Sequence, residues 1–361
     1  MSRADGKKRI GFTGGGTAGH VTPSLALIEL AQADGHEVVY FGTPDGIERE
    51  LVARLSGVQY VEIPSERLRR YADVRNLIAP FRVARGLGLA AVRVRRAKPD
   101  VLFSKGGFVA FPAVVGAWLN RVPIVVHESD ITSGLANRMS FPFATTICTG
   151  FEQTARHMNK PNVRYTGSPV RAAFDQADPA AARAHFGLDA QRPVVVIFGG
   201  SQGARHINEV TREALGALTE RAQVVHVCGK GNLDPALDGT PGYHQAEYVH
   251  ELFPALLKAA DVVIARAGAN SIAELIKLQK PAVLIPLPVA SSRGDQLANA
   301  EDFVRNGFGQ LVRDEALTAQ TLLTALDAAM DNRAAHIAAM AKNPATDAAR
   351  VIYKLLLDLA R

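Results

Sequence analysis

The stretch Arg9–His20, RIGFTGGGTAGH, decides the fold. An apolar run of strand type passes into three glycines, and Thr22-Pro23-Ser24 then opens a helical pattern. The same design returns at Val195–His206, VVIFGGSQGARH: strand, double glycine, hydroxyl residue, glycine, helix. Gly14, Gly16 and Gly19 fit the G-x-G-x-x-G spacing of dinucleotide sites. That chemistry also needs an acid at the end of the second strand to hold a ribose. Here the strand ends Tyr40-Phe41-Gly42-Thr43 without one, so a dinucleotide is set aside. The general physics remains: glycines let backbone N–H groups approach a ligand, and a helix N-terminus favours anions.

Working outward, β-branched runs alternate with helical patterns along the chain. Strands are expected at 9–13, 37–42, 60–63, 101–104, 123–126 and 145–148. A second set is expected at 193–198, 223–228, 245–248, 261–265 and 282–285. Helical patterns include 24–34, 74–96, 205–218 and 271–278. Such alternation predicts an α/β protein with parallel sheets. The two glycine-loop openings predict two doubly wound, Rossmann-like domains facing across a cleft, with ligand loops at the carboxyl ends of the strands. The expected bounds are 1–168, 169–344, and a C-terminal helix in 345–361 that packs back on the first domain.

Composition narrows the class. The 361 residues are 47% hydrophobic and 21% charged, as in globular proteins. No apolar run reaches the roughly 18 residues of a membrane span, and MSRADGKKRI does not read as a signal peptide. Cys148 and Cys228 lack metal-ligand spacing and are expected as buried free thiols. Neither a Walker loop nor a D-x-D triplet occurs, so ATP hydrolysis and a carboxylate-held metal are not expected. The net charge of +6 suits an anionic partner. Much of it lies between Arg67 and Lys98, where Asp73 is the only acid among ten Arg and Lys residues. Leu77, Ile78, Phe81, Val83, Leu87 and Leu89 are interleaved with Arg82, Arg85 and the other cations. This predicts an apolar patch ringed by positive charge, suited to an anionic membrane and joined by Trp118. Nucleic acid is not expected, because no recognition motif or aromatic platform accompanies the charge.

Three further loops carry chemistry. Lys105-Gly106-Gly107 is a glycine turn after a strand. In ARAGANSIAEL (Ala265–Leu275), Glu274 is expected near the end of the first helical turn, where a carboxylate can accept both hydroxyls of a ribose. In Ser292-Arg293-Gly294-Asp295-Gln296, Arg, Asp and Gln offer hydrogen bonds to sugar hydroxyls, and Asp295 also reads as an N-cap.

Together these segments resemble the MurG glycosyltransferases, a family with the two-domain GT-B fold. The likeness covers nearly the whole chain: GGGTAGHVTPSLAL, FSKGGFVAFP, HESD, GSPVR, GGSQGAR, ARAGANSIAEL and RGDQLANA, in that order. It implies inverting transfer of N-acetylglucosamine from UDP-N-acetylglucosamine to the muramic acid C4 hydroxyl of undecaprenyl-linked lipid I. The product would be lipid II for peptidoglycan, made by a peripheral protein on the cytoplasmic side of the cell membrane, without a cofactor. Cell-wall synthesis and division proteins are implied partners. By the same resemblance Ser201 and Gln202 meet the donor phosphates, and Val249 and Arg266 the uracil. Glu274 takes the ribose, Asp295 and Gln296 the sugar hydroxyls. Thr17 and Gly19 belong to the first loop, and Arg171 is the inter-domain arginine. Gly15, Gly16, Gly106, Gly107 and Glu128 form the acceptor and phosphate loops.

The chain departs from many family members in Asp130 for Asn, Phe108 for Tyr and Asp295 for a second Gln; its SRGDQ form is similar to the Gram-positive branch. An inverting transfer needs a base, and His20 has the right chemistry near neutral pH, as base or phosphate contact. Asp130 is the second candidate. Alternative readings are another lipid-directed UDP-sugar transferase such as a diacylglycerol glucosyltransferase, a UDP-N-acetylglucosamine 2-epimerase, and a non-catalytic UDP-sugar sensor.

Overall fold

The computed structural model describes residues 6–63, 79–200, 204–289, 292 and 294–360, without the side chains of 79–84. The chain divides into two units: residues up to Arg171 with those from Asp347 onward, and Ala172–Thr346.

Unit 1 contains strands β1 Arg9–Thr13, β2 Glu37–Gly42, β3 Val58–Glu62, β4 Val101–Ser104, β5 Ile124–Glu128, β6 Thr146–Thr149 and β7 Val163–Tyr165. They form a parallel sheet in the order β3-β2-β1-β4-β5-β6-β7. The order reverses between β1 and β4, where Thr13 pairs with Ser104. The crevice of a doubly wound sheet lies at that switch point, beyond the strands' carboxyl ends. The first glycine loop and the Lys105-Gly106-Gly107 turn therefore leave the sheet side by side.

Because helices cover both faces, the central strands are apolar on both sides. Ile10, Phe12, Tyr40 and Phe103 pack on one face with Leu27 and Ile28 of helix Thr22–Ala33. Val39, Phe41 and Leu102 pack on the other with Ala90 and Val94 of helix Ala79–Ala97 and Val114 of helix Ala110–Leu119. Gly116 permits the close approach of the last two helices, since a Cβ there would stand 3.0 Å from the Ala90 carbonyl carbon. The C-terminal helix Ala348–Leu359 packs on Thr22–Ala33 and places Ile352, Tyr353 and Leu356 in the first of these cores. The Tyr353 hydroxyl donates to the Asp34 carboxylate at 2.8 Å.

Unit 2 contains β8 Val194–Phe198, β9 Gln223–Val227, β10 Tyr243–Ala246, β11 Val262–Ala265, β12 Ala282–Leu284 and β13 Gly309–Leu311. These are parallel, in the order β10-β9-β8-β11-β12-β13. The switch point falls between β8 and β11, where Phe198 pairs with Ala265. The loops after these two strands, Gly199-Gly200 and Arg266-Ala267, are thus neighbours.

The structure corrects several boundaries. β7 and β13 were not expected; each is a three-residue edge strand with no apolar run, and exists by pairing with β6 and β12. β10 begins at Tyr243, two residues before the expected start, and β3 at Val58. The helix expected over 205–218 is two, Arg205–Glu213 and Leu215–Arg221, parted at Ala214. The expected helix 74–96 is described from Ala79. Among the described residues no helix is long and apolar enough to cross a membrane.

Candidate active site

The first glycine loop is shaped by an acid that the sequence reading did not find. Glu48, in the first turn of helix Ile47–Ala53, is fully buried. It accepts hydrogen bonds from the Gly16 amide (3.2 Å), the Thr43 amide (3.0 Å) and the Thr43 hydroxyl (2.6 Å). A Cβ on Gly15, Gly42 or Gly46 would strike this side chain. A carboxylate does therefore stand just past the second strand, but it faces inward and pins the loop. The Tyr40 hydroxyl adds a bond to the Gly14 carbonyl at 2.7 Å.

The two glycine turns of unit 1 interlock. Gly107 has φ +82°, and a Cβ there would lie 2.2 Å from the Gly15 carbonyl oxygen. At Gly16, with φ +84°, a Cβ would lie 2.5 Å from the Phe108 ring; at Gly106 it would meet the Asn137 side chain at 2.4 Å. These glycines thus serve loop-on-loop packing, besides any approach to a ligand. Thr17 and Gly19 are exposed and His20 is half-buried. Thr17 Oγ1 and His20 Nδ1 are 3.0 Å apart, which orients the imidazole.

The end of β5 divides its groups. His127 is buried and bonds the Gly167 carbonyl through Nε2 (2.9 Å); burial and then the Lys105 charge hold its pKa well below the ordinary value. Glu128 accepts from the Asp130 amide (3.2 Å), the Gly134 amide (3.2 Å) and Asn137 Nδ2 (3.0 Å). Burial raises its pKa, with Asn137 and Lys105 opposing. Glu128 is thus a loop-forming acid. Asp130, two residues on, is half-buried. Arg171 is half-buried at the end of this unit's first segment.

In unit 2 the loop after β8 begins with Gly199-Gly200, while Ser201 and Gln202 lie outside the described residues. Arg266 follows β11 with its side chain 11% exposed. Its guanidinium donates to the Ile285 and Pro286 carbonyls, each at 3.1 Å, and to Asp314. Asp314 also bonds His206 Nδ1 at 3.1 Å. Burial pushes the Asp314 carboxyl up, but the bonds from His206 and Arg266 outweigh it and the pKa is lowered. The sequence reading missed this clamp because Asp314 follows β13, itself missed.

Two expectations in this unit are corrected. Helix Ala269–Lys277 starts two residues earlier than read, so Glu274 lies in its second turn, half-buried, and not in the first. Helix Asp295–Arg305 is capped by Gly294 at φ +80°, so Asp295 is its first residue and not its N-cap. Gln296 Oε1 accepts from the Leu287 amide at 3.1 Å, fixing the loop after β12. Val249 is half-buried and its carbonyl accepts from the Leu252 amide at 2.9 Å.

Of the expected membrane patch, Leu77 and Ile78 lie outside the described residues, as do the side chains of Phe81 and Arg82. Arg85, Leu89 and Val92 are exposed on helix Ala79–Ala97. Trp118 (52%) and Leu119 (54%) are exposed on helix Ala110–Leu119, with Trp118 edge-on to Phe143 at 5.3 Å. Among the described residues no group of three His, Cys, Asp or Glu is placed to hold a metal.

Two doubly wound parallel sheets are the architecture of the GT-B fold, and two family models make the chain a glycosyltransferase. The Glycosyltransferase family 28 N-terminal domain matches residues 10–149, and the corresponding C-terminal domain residues 194–356. Among solved structures, the MurG of Acinetobacter baumannii superposes with a TM-score of 0.77 at 24% identity, covering 97% of this chain and 99% of that one. A UDP-N-acetylglucosamine–N-acetylmuramyl-(pentapeptide) pyrophosphoryl-undecaprenol N-acetylglucosamine transferase of Bacillus anthracis is 47% identical over 96% of this chain and 98% of its own length. A Geobacillus kaustophilus protein of the same name is 44% identical over 98% and 99%. The chain belongs to the MurG family of glycosyltransferases.

Proposed function

We infer that this chain transfers N-acetylglucosamine from UDP-N-acetylglucosamine to the muramic acid C4 hydroxyl of lipid I, giving lipid II for peptidoglycan synthesis. The observation that carries this reading is near-full-length identity to relatives named for that transfer. The division of groups at the unit 1 switch point supports it. Thr17 and Gly19 are exposed there and His20 and Asp130 half-buried, while Glu48, Lys105 and Glu128 are enclosed.

In the reaction the acceptor oxygen attacks the anomeric carbon as the bond to the UDP oxygen breaks, inverting the centre. The hydroxyl proton passes to His20 or Asp130. The Thr17 Oγ1–His20 Nδ1 contact orients the imidazole for that role; with Nδ1–H donating to the hydroxyl, Nε2 is the nitrogen that takes the proton. The charge on departing UDP is met by amides of the loop between β8 and helix Arg205–Glu213, with Ser201 and Gln202. Glu274 holds the ribose, Val249 and Arg266 the uracil, and Asp295 and Gln296 the sugar, with Arg171 a further donor contact. The Asp314 clamp fits Arg266 for this task, because it fixes the guanidinium before any ligand arrives. Exposed Arg85, Leu89, Val92, Trp118 and Leu119 support peripheral contact with an anionic membrane surface on the cytoplasmic side. Cell-wall synthesis and division proteins would meet the chain there.

The decisive assay supplies labelled UDP-N-acetylglucosamine with a lipid I analogue and compares UDP-glucose as donor. Lipid II formation with the first donor is expected; glucose transfer to diacylglycerol instead would select the alternative transferase. Glu274→Ala should raise the donor KM by roughly a hundredfold, the loss of two hydrogen bonds to a charged group, and an unchanged KM would remove the ribose role. His20→Ala with turnover and donor affinity retained would remove His20 as base.

A further inference from the structure

Lys105 is the buried cation that the reaction, as described above, does not use. It follows β4 at the unit 1 switch point and is 1% exposed. Its backbone amide donates to the Thr13 carbonyl at 2.9 Å, continuing the sheet past its last paired residues. Its stem lies under the first glycine loop: a Cβ on Gly14 would stand 3.1 Å from Lys105 Cβ and 2.4 Å from the His20 carbonyl oxygen. Its ammonium donates to the Ser129 hydroxyl, the residue before Asp130. One side chain thus runs from the turn that carries His20 to the turn that carries Asp130.

Burying an ammonium is costly unless it is paired. Of its three N–H donors, the ammonium uses one among the described residues, toward Ser129. Its electrostatic partners are Glu128 and Asp130. Glu128 is already occupied by two amides and Asn137. On the remaining sides stand His127, held neutral by burial and by Lys105 itself, and the His20 turn. Asp130 is the only one of the two carboxylates that is not enclosed.

We propose that Lys105 is a positioning residue for glycosyl transfer, which fixes the Ser129–Asp130 turn against the His20 turn. This rests on the reading of Asp130 as an acceptor-side base. Burial lowers the Lys105 pKa to about 8, with Glu128 and Asp130 opposing the fall, so the charge is present at neutral pH.

The test compares Lys105→Met, Ser129→Ala and Asp130→Asn in the full chain with a lipid I analogue. Lys105→Met keeps the stem and removes the charge. Its kcat should fall roughly tenfold to a hundredfold, as expected for a misplaced reacting group, with the donor KM unchanged. Ser129→Ala should lower kcat in the same direction by a smaller factor, again with the donor KM unchanged. If Asp130→Asn keeps wild-type turnover, the Asp130 base reading fails and the proposal with it. If Asp130→Asn is inactive while Lys105→Met retains wild-type kcat, the proposal alone fails. Should Lys105→Met not fold, an unchanged kcat in Ser129→Ala overturns it.

Discussion

Replacing Glu48 by glutamine tests whether one enclosed carboxylate shapes the first glycine loop. The side chain is fully buried and accepts three hydrogen bonds, two from Thr43 and one from the Gly16 amide. Glutamine keeps the shape and one acceptor oxygen, but sets an NH2 where the second oxygen stood. Either the Gly16 amide or the Thr43 pair then faces a donor. A hydrogen bond to a charged group is worth about 1.5–3 kcal/mol, and an orphaned buried donor adds a similar cost, so a loss of about 2–4 kcal/mol is expected. For a unit of this size each kcal/mol moves the midpoint by about 2–4 °C, giving a drop of roughly 5–15 °C in the unit 1 transition. Differential scanning calorimetry of the full chain reads this directly. Turnover, measured well below the transition, should fall roughly tenfold or more, because the loop bearing Thr17 and His20 loses its anchor. A midpoint within about 1 °C of wild type together with unchanged kcat would refute the reasoning, since no enclosed three-acceptor carboxylate is lost so cheaply.

Gly107→Ala should destabilise by about 3 kcal/mol or more in urea unfolding, because alanine resists φ +82° and its Cβ would meet the Gly15 carbonyl at 2.2 Å; a smaller loss would show that the loops part easily. Asp314→Asn should cost about 2 kcal/mol at neutral pH and raise the donor KM, because it releases Arg266 and His206. The folded pKa of Asp314 lies below its unfolded value, so its contribution is present above about pH 4 and lost as pH falls through the folded value. The stabilities of wild type and variant should therefore converge in acid, and a constant gap down to low pH would exclude the ionic clamp. Arg85→Ala should weaken retention on anionic vesicles roughly fivefold at low salt, about 1 kcal/mol per basic residue near the surface, and no change would argue against membrane contact by this helix.

How much was legible depends on where the physics is local. β1, β2 and β4 were read to the residue because short apolar stretches such as Val101–Phe103, closed by a glycine turn, suit buried central strands. Val163–Tyr165 and Gly309–Leu311 carry no such signal; their neighbours in the sheet make them strands. Losing β13 also hid Asp314, which takes its place from that edge. Glu48 reads in sequence as an ordinary acid in a first helical turn, and Lys105 as a polar residue beside two glycines. Their roles arise from burial, which three-dimensional packing sets. The glycines were legible as turn residues, but not the carbonyl, ring and carboxylate that each one makes room for. Family motifs named exposed Thr17 and Gly19 and also enclosed Glu128, while Glu48 and the Asp314 clamp came from the structure.

The helix Ala348–Leu359 has a consequence for biosynthesis. Its Ile352, Tyr353 and Leu356 are interior residues of the unit that the first half of the chain builds. Unit 2, a continuous segment from Ala172 to Thr346, has all its residues before that helix is translated. The N-terminal sheet and helix Thr22–Ala33 are made first and lack the cover of residues 348–359 until that segment emerges. A stop codon near residue 347 should therefore yield a chain whose later-made half is intact and whose earlier-made half is the part that chaperones hold and proteases cut.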